Sequence, residues 1–133
     1  MQIRTFVSPE VVRGEVTESL RTLATRMRAH GIGSLPIFEG ERLVGILTER
    51  DLVAAVADGV AEAAVAAAYM TPEPVTADPS EDSATVAERM LELGIRHLPV
   101  VEHGRLMGMV SARDLLALEA WPSQGRVPPA ETS

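Results

Sequence analysis

The sequence predicts a mixed α/β (α+β) fold made of two tandem β-α-β-β-α repeats, packed on one another with pseudo-two-fold symmetry. Three observations predict it. The first is internal repetition: Ile32-Gly33-Ser34-Leu35-Pro36-Ile37 returns as Ile95-Arg96-His97-Leu98-Pro99-Val100, and Arg42-Leu43-Val44-Gly45 as Arg105-Leu106-Met107-Gly108. Thr48-Glu49-Arg50-Asp51-Leu52 returns as Ser111-Ala112-Arg113-Asp114-Leu115, always 63 residues on. The same offset carries Pro9 onto Pro72, Met27 onto Met90 and Gly31 onto Gly94, which identifies a duplication without a gap. The second observation is that helical and strand periodicities alternate in the same order within each copy. The third is size: a unit of about 60 residues without disulfides is marginal alone, so the copies are expected to pack together.

Each element follows from local chemistry. A short extended stretch, Glu10-Val11-Val12 and then Pro74-Val75-Thr76, opens each copy. Thr17-Glu18 and Pro79-Ser80-Glu81 are expected to start helices, with a capping hydroxyl and acids in the first turn. Leu20, Leu23, Ala24 and Met27 form one apolar face at helical spacing, echoed by Ser83, Val86, Ala87 and Met90. Gly31 and Gly94 stop these helices. Apolar strands follow at Leu35–Phe38 and Leu43–Leu47, joined by the turn Glu39-Gly40-Glu41, and the second copy repeats them around Glu102-His103-Gly104. A second helix starts at Thr48 or Ser111. The Ala-rich stretch from Asp58 to Ala68 is expected to tether the copies as helix on both sides of Gly59, and 122–133, rich in Pro, Ser and Gly, reads as a disordered tail.

Composition removes several function classes. There is no Cys, which excludes disulfides, thiolate metal sites and cysteine nucleophiles. Lys is absent too, so neither a phosphate-loop lysine nor Schiff-base chemistry is available. A net charge of −7 argues against a nucleic-acid polymer or an anionic membrane surface as partner. No stretch has signal-peptide or membrane-span character, and the chain is expected to be soluble and cytoplasmic. His30, His97 and His103 lack metal-ligand spacing, so no metal site is expected.

The chemistry sits at Thr48-x-x-Asp51 and Ser111-x-x-Asp114. A hydroxyl followed three residues later by an acid is a capping box, in which each side chain serves an orphan amide of the first helical turn. Both pairs also follow directly on a strand containing Gly45 or Gly108. At such a corner a carboxylate can accept both hydroxyls of a ribose, the helix start offers amides to a phosphate, and the glycine leaves room for a flat ring. Capping and ribose binding are compatible.

The duplicated G-h-h-[ST]-x-x-D corner, the h-x-x-L-P-[IV] strand and the opening Met70-Thr71-Pro72 resemble the cystathionine-β-synthase (CBS) domain family, and two copies resemble its tandem pair, the Bateman module. The likeness covers about Val7 to Ala120, which divides the chain into an extension (1–6), CBS repeat 1 (7–57), a linker (58–69), CBS repeat 2 (70–121) and a tail (122–133). It implies a non-enzymatic regulatory module that needs no cofactor. Such a module binds AMP, ADP, ATP or S-adenosylmethionine in clefts between its repeats, pairs into a homodimer and signals to an effector protein.

Carried over residue by residue, Ser111 and Asp114 match one ribose corner, whose base would lie near Val12 and Ile32-Gly33. Thr48 and Asp51 match the other, with Val75 and Ile95 facing the base. Arg96 and His97 fall at phosphate-contact positions, where the first copy has Gly33 and Ser34, so the two clefts are expected to be unequal. Arg113 is a further ligand candidate, although Arg50 and Arg113 can equally pair with neighbouring acids. The rival reading is a ligand-independent dimerisation scaffold in which both Asp residues only cap helices. Dimerisation is expected through the helices after Asp51 and Asp114, including Leu115 to Leu118.

Overall fold

The structure, a computed structural model, describes residues 1–8 and 11–115. The expected tail and Leu116–Leu118 lie outside those residues. Packing divides the chain into two compact units, one of Glu10–Val75 and one of Met1–Pro9 with Thr76–Ser133.

The first unit runs β1 (Gly14–Glu15), α1 (Leu20–His30), β2 (Ser34–Glu39), β3 (Arg42–Thr48), α2 (Glu49–Ala57), α3 (Ala66–Tyr69) and β4 (Thr71–Pro72). Its sheet has the order β1-β2-β3-β4, with β1 parallel to β2 and the other pairs antiparallel. The second unit contains α4 (Ser83–Leu93) and the hairpin β5 (His97–Glu102) with β6 (Arg105–Ser111), after which 112–115 turn helical. Isolated bridges place Ala77 beside Val100 and Ser8 beside Met109, at the positions that β1 and β4 hold in the first unit. The duplication is therefore visible in the sheet as well as in the sequence.

The opening strand is later than expected. β1 is Gly14–Glu15, not the Val11-Val12 stretch, and its counterpart is Ala77 rather than Pro74-Val75-Thr76. The reason is close packing: a β-carbon on Gly14 would lie 2.7 Å from Leu23 Cδ2 and 3.0 Å from Ile37 Cδ1, so the strand needs a small residue there.

The helices also start two residues late, at Leu20 and Ser83, with Ser19 and Asp82 as caps and no acid in the first turn. Glu18 is committed elsewhere: its carboxylate accepts from Glu15 N at 2.9 Å and from both Arg26 nitrogens at 2.8 and 2.6 Å. Glu81 repeats this with Asp78 N at 2.9 Å and Arg89 Nη2 at 2.5 Å. The Arg26 and Arg89 guanidiniums hold both carboxyls below the usual glutamate range. Ser19 Oγ accepts from Thr22 N and Asp82 from Ala84 N, so the caps serve as capping theory requires, two positions further along the chain. Gly31 and Gly94 end the helices in left-handed conformation, φ 64° and 67°.

Both hairpins carry a bulge one residue before Gly45 or Gly108, since Ile37 pairs with Gly45 but Phe38 with Leu43, and Val100 with Gly108 but Val101 with Leu106.

The Ala-rich stretch is only partly the helix expected of it. α2 ends at Ala57, Gly59 takes φ 76°, and helix resumes at Ala66 after turns. It is built into the first unit rather than slung between copies: Ala66 is fully buried among Leu20, Leu23 and Leu35, and Tyr69 Oη donates to Asp58 at 2.6 Å.

Residues 3–6 are the counterpart of α3 by the same 63-residue offset, here a 3-10 turn that puts Ile3 into the core of the second unit. The volumes compensate. Where α1 buries Leu20 and Leu23, the entering residue is Ala66; where α4 offers only Ser83 and Val86, it is Ile3.

Candidate functional site

Each unit builds its candidate site where the end of its first helix, the start of one hairpin strand and the end of the other converge. In the first unit Gly31 turns the chain so that Ile32 N donates back to Met27 O at 3.0 Å, leaving Ile32 half-buried on the core. Glu49 N donates to Gly33 O at 3.1 Å, and Ser34 pairs with Thr48, which ties Gly33 to the first turn of α2. Val12 precedes β1 and packs half-buried on the same core; β1 runs parallel to β2, so Val12 lies toward the Ser34 end. Val12, Ile32, Gly33, Thr48 and Asp51 thus share one end of one unit.

The second unit repeats the corner. Ile95 N donates to Met90 O at 3.0 Å, Ala112 N to Arg96 O at 2.8 Å, and His97 pairs with Ser111. Ile95, Arg96, His97, Ser111, Arg113 and Asp114 are brought to one end in the same way. Val75 belongs to the first unit and is 42% exposed.

The two hydroxyl–Asp pairs differ in what the carboxylate does. Asp51 Oδ2 accepts from Thr48 N at 2.8 Å and from Thr48 Oγ1 at 3.2 Å, so this carboxylate is half of a closed cap. In the second copy the only bond of the box is Asp114 N to Ser111 Oγ at 3.5 Å, the far limit of a hydrogen bond. The Asp114 carboxylate is exposed and accepts from nothing among the described residues. Among the described residues the Arg50 and Arg113 guanidiniums form no ion pair, so the expected pairing with neighbouring acids is not found there. Arg96 is exposed and likewise forms no ion pair among the described residues.

The sequence reading of Gly45 and Gly108 needs correction. The space above them is not open to a flat ring. A β-carbon on Gly45 would meet Met70 Sδ at 2.5 Å and Thr71 O at 2.9 Å; one on Gly108 would run into Val7 and the Ser8 carbonyl. These glycines let the strand-like segments 70–71 and 7–8 cross the hairpin at close range.

Sequence reasoning also missed Glu49, whose Oε1 lies 2.6 Å from where a Gly33 β-carbon would stand. The absence of an acid at Ala112, its counterpart, was the signal available. Among the described residues no group of three or more His, Asp or Glu is placed to hold a metal, and no helix is long and apolar enough to cross a membrane.

The CBS domain family model matches the chain twice, over residues 3–58 and 65–120. The chain belongs to the CBS domain family. Among relatives, protein MK0525 of Methanopyrus kandleri is 37% identical over 116 residues, covering 84% of this chain and 59% of that protein. MJ1225 of Methanocaldococcus jannaschii is 34% identical over 105 residues, covering 78% and 36% respectively, so the chain spans only part of either relative's length. Among solved structures, the CBS domain pair of protein MJ0100, in complex with 5′-methylthioadenosine and S-adenosyl-L-methionine, superposes with a TM-score of 0.83 at 27% identity. That match covers 92% of this chain and 98% of the MJ0100 chain, and this chain likewise carries two CBS repeats.

Proposed function

We propose that this CBS pair is a regulatory module that binds an adenosine-containing ligand, AMP, ADP, ATP or S-adenosylmethionine, and passes the resulting change to a separate effector protein, with no catalytic step of its own. The observation that carries the reading is the free Asp114 carboxylate, beside a helix start that Ala112 N and Arg96 O tie together. A carboxylate serving no cap is available to a ribose diol, and the nearby Arg96 and Arg113 suit phosphate through their planar, bidentate forks. Half-buried Ile32 and Ile95 offer apolar surface to an adenine ring. The complexes of the MJ0100 pair support the ligand class.

A thermal-shift panel of these ligands on the intact chain tests the proposal. A ligand present at a hundred times its Kd adds about 2.7 kcal/mol of stability, which moves the melting temperature by several degrees. If none of them moves it at millimolar concentration, the scaffold reading replaces this one.

We also propose a homodimer, through the first of the two helices read in the sequence, the one that carries Asp51, and not through Leu115. Leu115 is fully buried in its own unit and is not available to a partner. Val53 and Val56 are each 67% exposed on α2, three residues apart and so on one helical face. The chain should sediment as a dimer in the cytoplasmic buffer range, and Val53→Glu with Val56→Glu should convert it to a monomer of 14.2 kDa. A monomer at every concentration of the unmodified chain would rule the dimer out.

A further inference from the structure

The duplication places the same backbone corner twice, but with opposite charge. The first corner carries Glu49, Arg50 and Asp51 against Gly33 and Ser34, one net negative charge. The second carries Ala112, Arg113 and Asp114 against Arg96 and His97, one net positive charge with histidine neutral. Glu49 is not merely nearby. Its backbone N donates to Gly33 O at 3.1 Å, and its carboxylate folds back over Gly33, occupying the place a side chain at 33 would take. In the second unit Ala112 N makes the same bond to Arg96 O, and there the position over which Glu49 lies holds the root of an arginine.

We infer that Glu49 is a specificity-determining residue: its carboxylate over Gly33 keeps phosphate out of the Thr48–Asp51 corner, so that one phosphate-bearing adenosine ligand binds per chain, at the Ser111–Asp114 corner. The inference rests on the adenosine-ligand reading above. Its physical basis is like-charge repulsion at close range, in a corner whose single cation is Arg50 where the second corner has both Arg113 and Arg96. An anionic phosphate entering the first corner meets Glu49 and finds no counterpart of Arg96. The Asp51 carboxylate adds to the effect, because the cap holds it in place.

The experiment transplants one corner onto the other. Gly33 has no left-handed backbone requirement, and the three atoms nearest to a β-carbon there all belong to the Glu49 side chain. Glu49→Ala with Gly33→Arg therefore installs the second-copy chemistry and removes its own obstruction. Calorimetric titration with AMP should give one site per chain in the unmodified protein and two in the double variant, the second within about tenfold of the first in affinity. As a variant that does not depend on the transplant folding, Arg96→Ala, at an exposed position, should weaken AMP about tenfold and leave adenosine unchanged. Two AMP sites of similar affinity in the unmodified chain, or one site still in a folded double variant, would overturn the role of Glu49 and leave the adenosine reading standing. An unmodified chain that binds neither AMP nor adenosine would overturn both.

Discussion

AMP should bind the Asp114→Ala chain about ten- to a hundred-fold more weakly than the unmodified chain, because a charge-assisted hydrogen bond to a ribose hydroxyl is worth roughly 1.5–3 kcal/mol. The melting temperature without ligand should stay put. From sequence, Asp114 looks like half of a capping box whose loss would also destabilise the protein. Among the described residues its carboxylate accepts no amide, and the bond from Asp114 N to Ser111 Oγ uses a backbone donor that alanine retains. Asp51→Ala should behave in the opposite way. It removes the acceptor of the Thr48 N bond at 2.8 Å, costing about 0.5–2 kcal/mol of stability, and leaves AMP affinity unchanged. Calorimetry and thermal melting of the two variants, read together, separate the roles. Equal affinity in all three proteins would refute the ribose assignment.

Gly108→Val should produce the largest loss of stability, about 2–4 kcal/mol from overpacking and a lost hydrogen bond together, measured by urea unfolding. Its side chain collides with the Ser8 carbonyl and with Val7, and backbone cannot yield as a flexible side chain can. Displacing residues 7–8 breaks the bond from Ser8 N to Met109 O at 3.0 Å and loosens the turn that keeps Ile3 in the core. Gly45→Val should cost less, because the nearest atom it meets is the adaptable Met70 Sδ at 2.5 Å and the backbone, Thr71 O, stands off at 2.9 Å, whereas at Gly108 the nearest atom is itself backbone. Equal, small losses at the two glycines would show that segment 1–8 is not held as described.

Much of this was legible in the sequence because the duplication reports on itself. The helices, their glycine stops, both hairpins and the burial of Ser83, Val86, Ala87 and Met90 all follow from periodicity repeated at one offset. What escaped has a common cause, the proximity of groups far apart in the chain. Glu18 looks like a first-turn acid until Arg26 claims it, eight residues on. The opening strand was assigned to valines because hydrophobicity marks strands, whereas contact with Leu23 and Ile37 selected Gly14. Gly45 and Gly108 read as ligand contacts because the segments that cross them, 70–71 and 7–8, are distant in sequence. At the candidate site the residue types of both corners were readable. The difference between a closed cap at Asp51 and an open one at Asp114 is a matter of side-chain orientation, which no pattern encodes.

The claim at the centre of this account is that the Asp114 carboxylate holds the ribose diol of an adenosine ligand. Calorimetric titration of the unmodified chain with AMP and with its 2′,3′-dideoxy analogue tests it most directly, since the two share base and phosphate and differ only in the hydroxyls. The account predicts that the dideoxy analogue binds at least about tenfold more weakly, and that this gap closes in Asp114→Ala. Indistinguishable affinities for the two ligands in the unmodified chain would contradict it.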